Sequence, residues 1–242
     1  MKNAVAVVFV GLIALTSPVS AQDVERPAQV TAATPLPDRY PYVVKDILEY
    51  CRPKKGFWID LGAGKGQIAI PLIEASSNPV VMLDPDAGAM SQGIERARKK
   101  GLEDRLFAVV GVAEDMPLPD NSVDLVVSHG SIFFWDDPVK GLQEVYRVLR
   151  PGGKAMIGGG VGSSYPKWAA EEFFRRRKKQ LDQGDPQRKK HFIEVRSPKT
   201  FRRWAEDAKL PNFEVVGKGA FSAAEPRAGQ GIAVRFTKEN PK

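Results

Sequence analysis

An acid followed by three alternating glycines is the residue set in this chain best suited to hold a polar ligand. Asp60-Leu61-Gly62-Ala63-Gly64-Lys65-Gly66 follows the apolar run Phe57-Trp58-Ile59, and a helix-like segment, 67–74, comes next. Glycine reaches positive φ and has no Cβ, so the backbone turns sharply there and a ligand can lie against it. A side chain at Gly62 or Gly64 would fill that space. Asp60 closes a buried strand. It can accept a hydrogen bond from a ligand ammonium, or orient the loop through backbone N–H groups. Open α/β sheets bind ligands at this carboxyl end of their strands. The spacing is not the dinucleotide pattern G-x-G-x-x-G.

The elements that must position this loop are legible downstream. Val80-Val81-Met82-Leu83 ends in Asp84, 22 residues after Gly62. That is close to the separation at which an acid reaches a ribose hydroxyl pair in βαβ nucleotide sites. Two carboxylate oxygens suit two hydroxyl donors. Asp86 would serve equally if the strand ended later. A third apolar run leads to Gly111-Val112-Ala113-Glu114, and a fourth to Ser128-His129-Gly130-Ser131. Leu142, Val145, Val148 and Leu149 fall on one helical face. Pro151-Gly152-Gly153 stops that helix before a fifth strand. Strands near 57–61, 80–84, 106–111, 123–128 and 153–159 alternate with helical runs, which predicts a mostly parallel sheet. Ser197 reads as an N-cap with Pro198 in first position. Two strands follow, from 213 and 231, as a terminal antiparallel pair.

The glycine loop, Asp84, the Gly111–Glu114 turn and the phrase Leu149-Arg-Pro-Gly-Gly-Lys154 stand in order between residues 57 and 160. Together they resemble the class I S-adenosylmethionine (SAM) methyltransferases, and among them the type 11, UbiE-like small-molecule enzymes. The resemblance implies a Rossmann-like, doubly wound α/β fold with a mostly parallel seven-stranded sheet and an antiparallel terminal strand. It implies SAM as cofactor. Asp60, Gly62, Ala63, Gly64 and Gly66 would form the methionine and ribose loop, and Asp84 would hold the ribose. Met90 would pack on the adenine or in the core, and Ala113 and Glu114 would flank the adenine. Ser128 to Gly130 would face the transferring methyl. Val112 departs from the family, which often has Asp there beside the adenine amine. Glu114, Asp115 or a backbone carbonyl would have to accept instead, while the Ala113 N–H remains for adenine N1. Methyl transfer from a sulfonium is an in-line displacement that mainly needs alignment and exclusion of water. A base is needed only where the nucleophile must lose a proton. His129 is the candidate base or substrate hydrogen-bonder, ahead of His191. Tyr40, Tyr42 and Trp135 are candidates to cover the site.

At 242 residues the chain fits one α/β domain, 39–242, with a lid-like insertion at about 161–196. The formal charge is +7, and residues 163–203 hold 13 basic against five acidic side chains, which accounts for the excess. Such a segment, 175–203 above all, would draw an anionic substrate, membrane surface or nucleic acid. Lys2, an apolar run from Ala4 to Leu15 and small Val19 and Ala21 match a secretory signal peptide over 1–21, too short to span a bilayer. A Pro-, Ala- and Thr-rich stretch, 22–38, reads as a flexible lead-in. Export is the expectation, with a cytoplasmic protein if the true start lies downstream. One cysteine permits no internal disulfide, and one Cys with two His cannot build the usual zinc site. No D-P-P-Y or N-P-P-[YF] phrase follows the fourth strand and no Pro-Cys pair exists, which argues against methylation of nucleic-acid bases by those routes. Two other readings stay open at this point. One is an exported binding protein on the same fold. The other is methylation of a large anion such as RNA, which would show steeply salt-dependent binding.

Overall fold

The computed structural model describes residues 24–31, 33–217 and 231–240. The expected signal peptide and the 218–230 connection lie outside the described residues. Five strands run parallel: β1 (Trp58–Leu61), β2 (Val80–Asp84), β3 (Leu106–Val110), β4 (Val123–His129) and β5 (Leu149–Gly160). β7 (Gly231–Thr237) pairs antiparallel with both β5 and β6 (Glu214–Gly217). The sheet order is β3-β2-β1-β4-β5-β7-β6. Strand order therefore reverses between β1 and β4, which opens a crevice at their carboxyl ends.

Period-two alternation sorts the central strands into two cores. Trp58, Val80, Met82, Leu125 and Val127 face α1 (Tyr40–Cys51), α2 (Ala69–Glu74) and α3 (Ala87–Arg98). Ile59, Leu61, Val81, Leu83 and Val126 face α4 (Pro138–Val148) and α7 (Pro198–Asp207). Asp60 sits among the first set and is 1% exposed. Each fully buried aliphatic side chain contributes about 1.5–3 kcal/mol, which fixes the register of the strand ends. Leu61 stands opposite Leu83, so Asp84 comes level with the start of the glycine loop.

The fourth helix ends earlier than the sequence suggests. It stops at Val148, and Leu149 already pairs with Val123. Pro151 disfavours helical backbone at Arg150, so the helix ends ahead of the Pro-Gly-Gly phrase. That phrase becomes an irregularity inside β5, after which Lys154 pairs with Leu125. The insertion after β5 forms two helices, α5 (Lys167–Asp182) and α6 (Pro186–Val195). Val161, Tyr165, Ala169 and Ala170 anchor its first turn. The segment read as a flexible lead-in makes specific contacts there. Trp168 Nε1 donates to Val24 O, Tyr165 Oη to Pro37 O, and Arg176 to Thr31 O and Thr34 O.

The glycine loop is built against β4. Gly62, Gly64 and Gly66 all have positive φ, at 70°, 51° and 71°. A Cβ on Gly62 would stand 2.1 Å from Ser131 Cβ, whereas one on Gly101, also at positive φ, would meet nothing within 4 Å. Gly101→Ala should therefore cost only the left-handed backbone penalty of about 1–2 kcal/mol. Gly62→Ala should cost that plus the displacement of Ser131, and so be the more destabilised of the two in urea unfolding. Equal losses would show that the Ser131 contact carries no constraint.

Candidate active site

A cavity of about 640 Å³ opens at the carboxyl ends of β1, β2 and β4. Asp60, Gly62, Ala63, Gly64, Asp84, Val112, Ala113 and Glu114 line one part of it. Tyr40, His129, Gly130, Ser131, Phe134, Trp135 and Asp136 line the rest. The Asp60 carboxylate accepts from Ala69 N at 2.9 Å, so it pins the start of α2. Burial pushes its pKa up to about 7, the Ala69 bond opposes this, and Asp84 adds to it.

The Asp84 carboxylate accepts from Gly64 N and Asp86 N, each at 2.8 Å. Each oxygen keeps a second lone pair for a ligand hydroxyl. The Asp86 carboxylate instead caps α3 by accepting from Ala89 N, which leaves Asp84 as the acid at the cavity. Gly64 needs its glycine for the turn and for open space, since a Cβ there would meet only Gln67 at 3.5 Å.

Three residues expected at the cofactor do not line the cavity. Gly66 faces Met82 and Ile70, at 3.2 and 3.3 Å from a built Cβ, so it serves helix-on-strand packing. Met90 is 2% exposed in the core beneath α3. Ser128 lies behind the wall and reaches Ser131 Oγ at 2.5 Å. Tyr42 packs edge-on against Tyr165 rather than over the site. Gly62 excludes a side chain because of Ser131, not because of the cavity.

Ser131, which no sequence motif marks, joins these elements. Its Oγ donates to Leu61 O at 3.0 Å and accepts from Trp135 Nε1 at 3.1 Å. Its proton being committed to a carbonyl, the Ser128 hydroxyl must be the donor between the two serines. The only signal was spacing: Ser131 stands three residues after Ser128 and four before Trp135, which no motif singles out. Phe134 was also missed. It is 81% exposed and stands where this cavity meets a second one.

That second cavity, about 760 Å³, lies between the sheet and the insertion. Its lining includes Arg39, Phe133, Phe173, Arg177, Phe192 and Arg196. His191 lines it too. His129, Gly130 and Phe134 line both cavities, so the end of β4 is their common wall. His129 Nε2 lies 3.1 Å from Gly160 O. A carbonyl only accepts, so Nε2 carries the proton and Nδ1 is the ring's acceptor. Burial, then the nearby Arg39 charge, lowers the His129 pKa to about 4, against the pull of the Gly160 bond. The ring is neutral at physiological pH.

These two shifts tilt stability in opposite directions. Asp60 holds its proton in the folded state up to about pH 7 but only to about 3.9 unfolded. Stability from this group therefore falls as pH rises from about 4 to 7. His129 is protonated below about 6.5 when unfolded but only below about 4 when folded. Its contribution is lost as pH falls through that window. Asp60→Asn should thus gain on the wild type as pH rises from 4 to 7. His129→Gln should gain on it as pH drops from 6.5 to 4. Urea unfolding across pH 4–8 checks both, and parallel curves for all three proteins would contradict the burial of these groups.

Residues 59–157 match the family model described as a methyltransferase domain. The 2-methyl-6-phytyl-1,4-hydroquinone methyltransferase of Spinacia oleracea is 36% identical over 117 residues, covering 48% of this chain and 32% of the relative. The ubiquinone/menaquinone biosynthesis C-methyltransferase UbiE of Brucella abortus is 41% identical over 100 residues, covering 40% and 37%. The chain thus spans about a third of the length of these curated relatives. A crystal structure from Methanococcus maripaludis, of a protein assigned to the S-adenosyl-L-methionine-dependent methyltransferases, superposes with a TM-score of 0.68 at 25% identity. It covers 84% of this chain and 87% of that one. Residues 59–157 thus resemble a methyltransferase domain, and the strand order and glycine loop agree with the fold shared with that S-adenosyl-L-methionine-dependent neighbour.

Proposed function

We propose that the chain transfers a methyl group from SAM to a small-molecule acceptor, across the wall formed by His129 and Gly130. The observation that carries this reading is the pair of cavities meeting at that wall, one lined by the glycine loop and Asp84, the other bounded by the insertion. Both volumes fall within the roughly 300–1,000 Å³ typical of small-molecule sites. The residues of the first cavity fit the cofactor. Its floor is backbone at Gly62 to Gly64, and a Cβ at Gly130 would point into open space. Asp84 offers a carboxylate with acceptor capacity for a ribose diol. Glu114 and Asp136 supply carboxylates near Val112, where the family's usual acid is missing. One Glu114 oxygen already accepts from Asp137 N at 3.0 Å.

SAM, when bound, supplies an electrophilic methyl group on a sulfonium. The chain's own work is alignment and shielding. Trp135, fixed by Ser131, and Phe134 wall off the cavity. His129 stays neutral beside a cationic centre and presents Nδ1 as a hydrogen-bond acceptor. With a pKa of about 4 it orients an acceptor better than it deprotonates one. The relatives named above act on hydroquinones or in quinone biosynthesis. The phenylalanine-lined chamber suits a planar aromatic body of that kind.

Calorimetric titration of the full chain with S-adenosylhomocysteine tests the reading. Binding in the micromolar range is expected, weakened at least tenfold in Asp84→Ala by loss of a charge-assisted hydrogen bond of about 1.5–3 kcal/mol. Circular dichroism should show the fold retained. Equal affinity in the variant would remove Asp84 from the site, and no binding at millimolar ligand would overturn the proposed activity.

A further inference from the structure

Five cations line the 760 Å³ chamber: Arg39, Arg177, Arg188, Lys189 and Arg196. Asp185 is the one carboxylate in that lining, and it is spent on capping α6, accepting from Gln187 N and Arg188 N. Lys189 pairs with Asp182 behind it at 2.7 Å. No ion pair among the described residues includes Arg39, Arg177, Arg188 or Arg196. The other acids of the insertion go elsewhere. Glu172 clamps Arg175 and Arg176, and Asp182 also holds Lys178. Arg175, Arg176 and Lys178, outside the lining, are ion-paired, whereas four of the five cations in the lining have no ion pair among the described residues.

Aromatic rings lie against three of the four unpaired guanidinium groups, those of Arg39, Arg177 and Arg196. Arg196 Cζ lies 3.7 Å from the ring centres of both Phe133 and Phe192. Arg177 lies 5.5 Å from Phe192 and 5.9 Å from Phe173. Arg39 lies 5.2 Å from Phe173 and 4.5 Å from Tyr40, whose hydroxyl accepts from it. Tyr40 meets His129 edge-on at 6.0 Å, which returns this run of stacks to the wall shared with the cofactor cavity. A guanidinium stacked by its face keeps its in-plane N–H donors, the geometry that takes an oxyanion bidentately. Arg196 uses one of them on Phe192 O at 3.4 Å, a long bond. Burial and the charge of Arg177 hold the Arg196 pKa down at about 10, so it is still cationic at neutral pH and a partner anion would relieve both costs.

We propose that the methyl acceptor is an apolar or aromatic molecule bearing an oxyanion, a carboxylate or phosphate ester, which Arg177 and Arg196 bind from the insertion. This rests on the methyl-transfer reading and adds to it a charged group that the phenylalanines alone would not select. The apolar body lies among Phe133, Phe173 and Phe192. The anion sets its orientation, so that the reacting atom meets the wall at His129. The cations draw such acceptors in, and a neutral analogue of the same shape leaves the half-buried Arg196 without a partner and gains no charge-assisted hydrogen bond from Arg177.

The test uses the full chain and two fluorescent probes of similar body, anionic 1-anilinonaphthalene-8-sulfonate and neutral N-phenyl-1-naphthylamine. The wild type should bind the sulfonate more tightly. Arg177→Gln/Arg196→Gln should lose about tenfold or more for the sulfonate and less than about twofold for the neutral probe. Arg177→Lys/Arg196→Lys should recover part of the loss, and the exposed Lys167→Gln should lose nothing. Displacement of the sulfonate by 1-naphthoate and 1-naphthyl phosphate should exceed that by neutral 1-naphthalenemethanol. The stronger of the two anions identifies the headgroup. Equal displacement by all three, or equal loss for both probes, overturns the proposal. S-adenosylhomocysteine titration of the same variants separates the two readings. Loss of the anion preference with intact cofactor binding defeats only the anion subsite. Absent cofactor binding with an intact preference defeats only the methyl-transfer reading.

Discussion

The hydroxyl of Ser131 ties together the parts on which this site depends. It donates to the last carbonyl of β1 and receives the Trp135 indole and the Ser128 hydroxyl, so its one proton and both lone pairs are used. The Gly62 backbone packs against the same side chain closely enough to forbid a Cβ. The glycine loop, the end of β4 and the Trp135 cover are thereby held to one another at the point where strand order reverses. Sheet register brings the strand ends level, and this one small side chain locks them together.

Two charge environments meet across that lock. The cofactor side has acids: Asp84 within reach of hydroxyls, and Glu114 and Asp136 along the rim. The chamber side has arginines stacked on phenylalanines. His129 stands between them as a neutral ring whose protonated nitrogen is committed to the Gly160 carbonyl. In the proposed methyl transfer, a neutral ring there would separate a cationic sulfonium from the guanidinium groups better than a titrating one would.

The sheet was readable because β1, β2 and β4 are apolar runs ending in polar residues, and because glycine at positive φ leaves a mark in sequence. Asp84 was readable for the same reason, and of the two acids it is the one that lines the cavity, Asp86 capping α3. Gly66, Met90 and Ser128 were placed at the cofactor by resemblance to a motif. Motif spacing does not distinguish a residue that touches a ligand from one that packs behind the wall. Ser131 carries no pattern at all, since a hydroxyl that joins two strand ends depends on tertiary register. The charge of the insertion was plain in composition. Its division into paired and unpaired cations depends on tertiary placement, with Glu172 holding Arg175 and Arg176 and Asp182 holding Lys178 and Lys189.

The most direct measurement is a crystal structure of the full chain grown with S-adenosylhomocysteine. The ribose hydroxyls should lie on Asp84, the adenine beside Val112 to Glu114, and the sulfur at His129 and Gly130, open toward the chamber that holds Arg177 and Arg196. A ligand bound elsewhere, or one whose sulfur turns away from that wall, would contradict it.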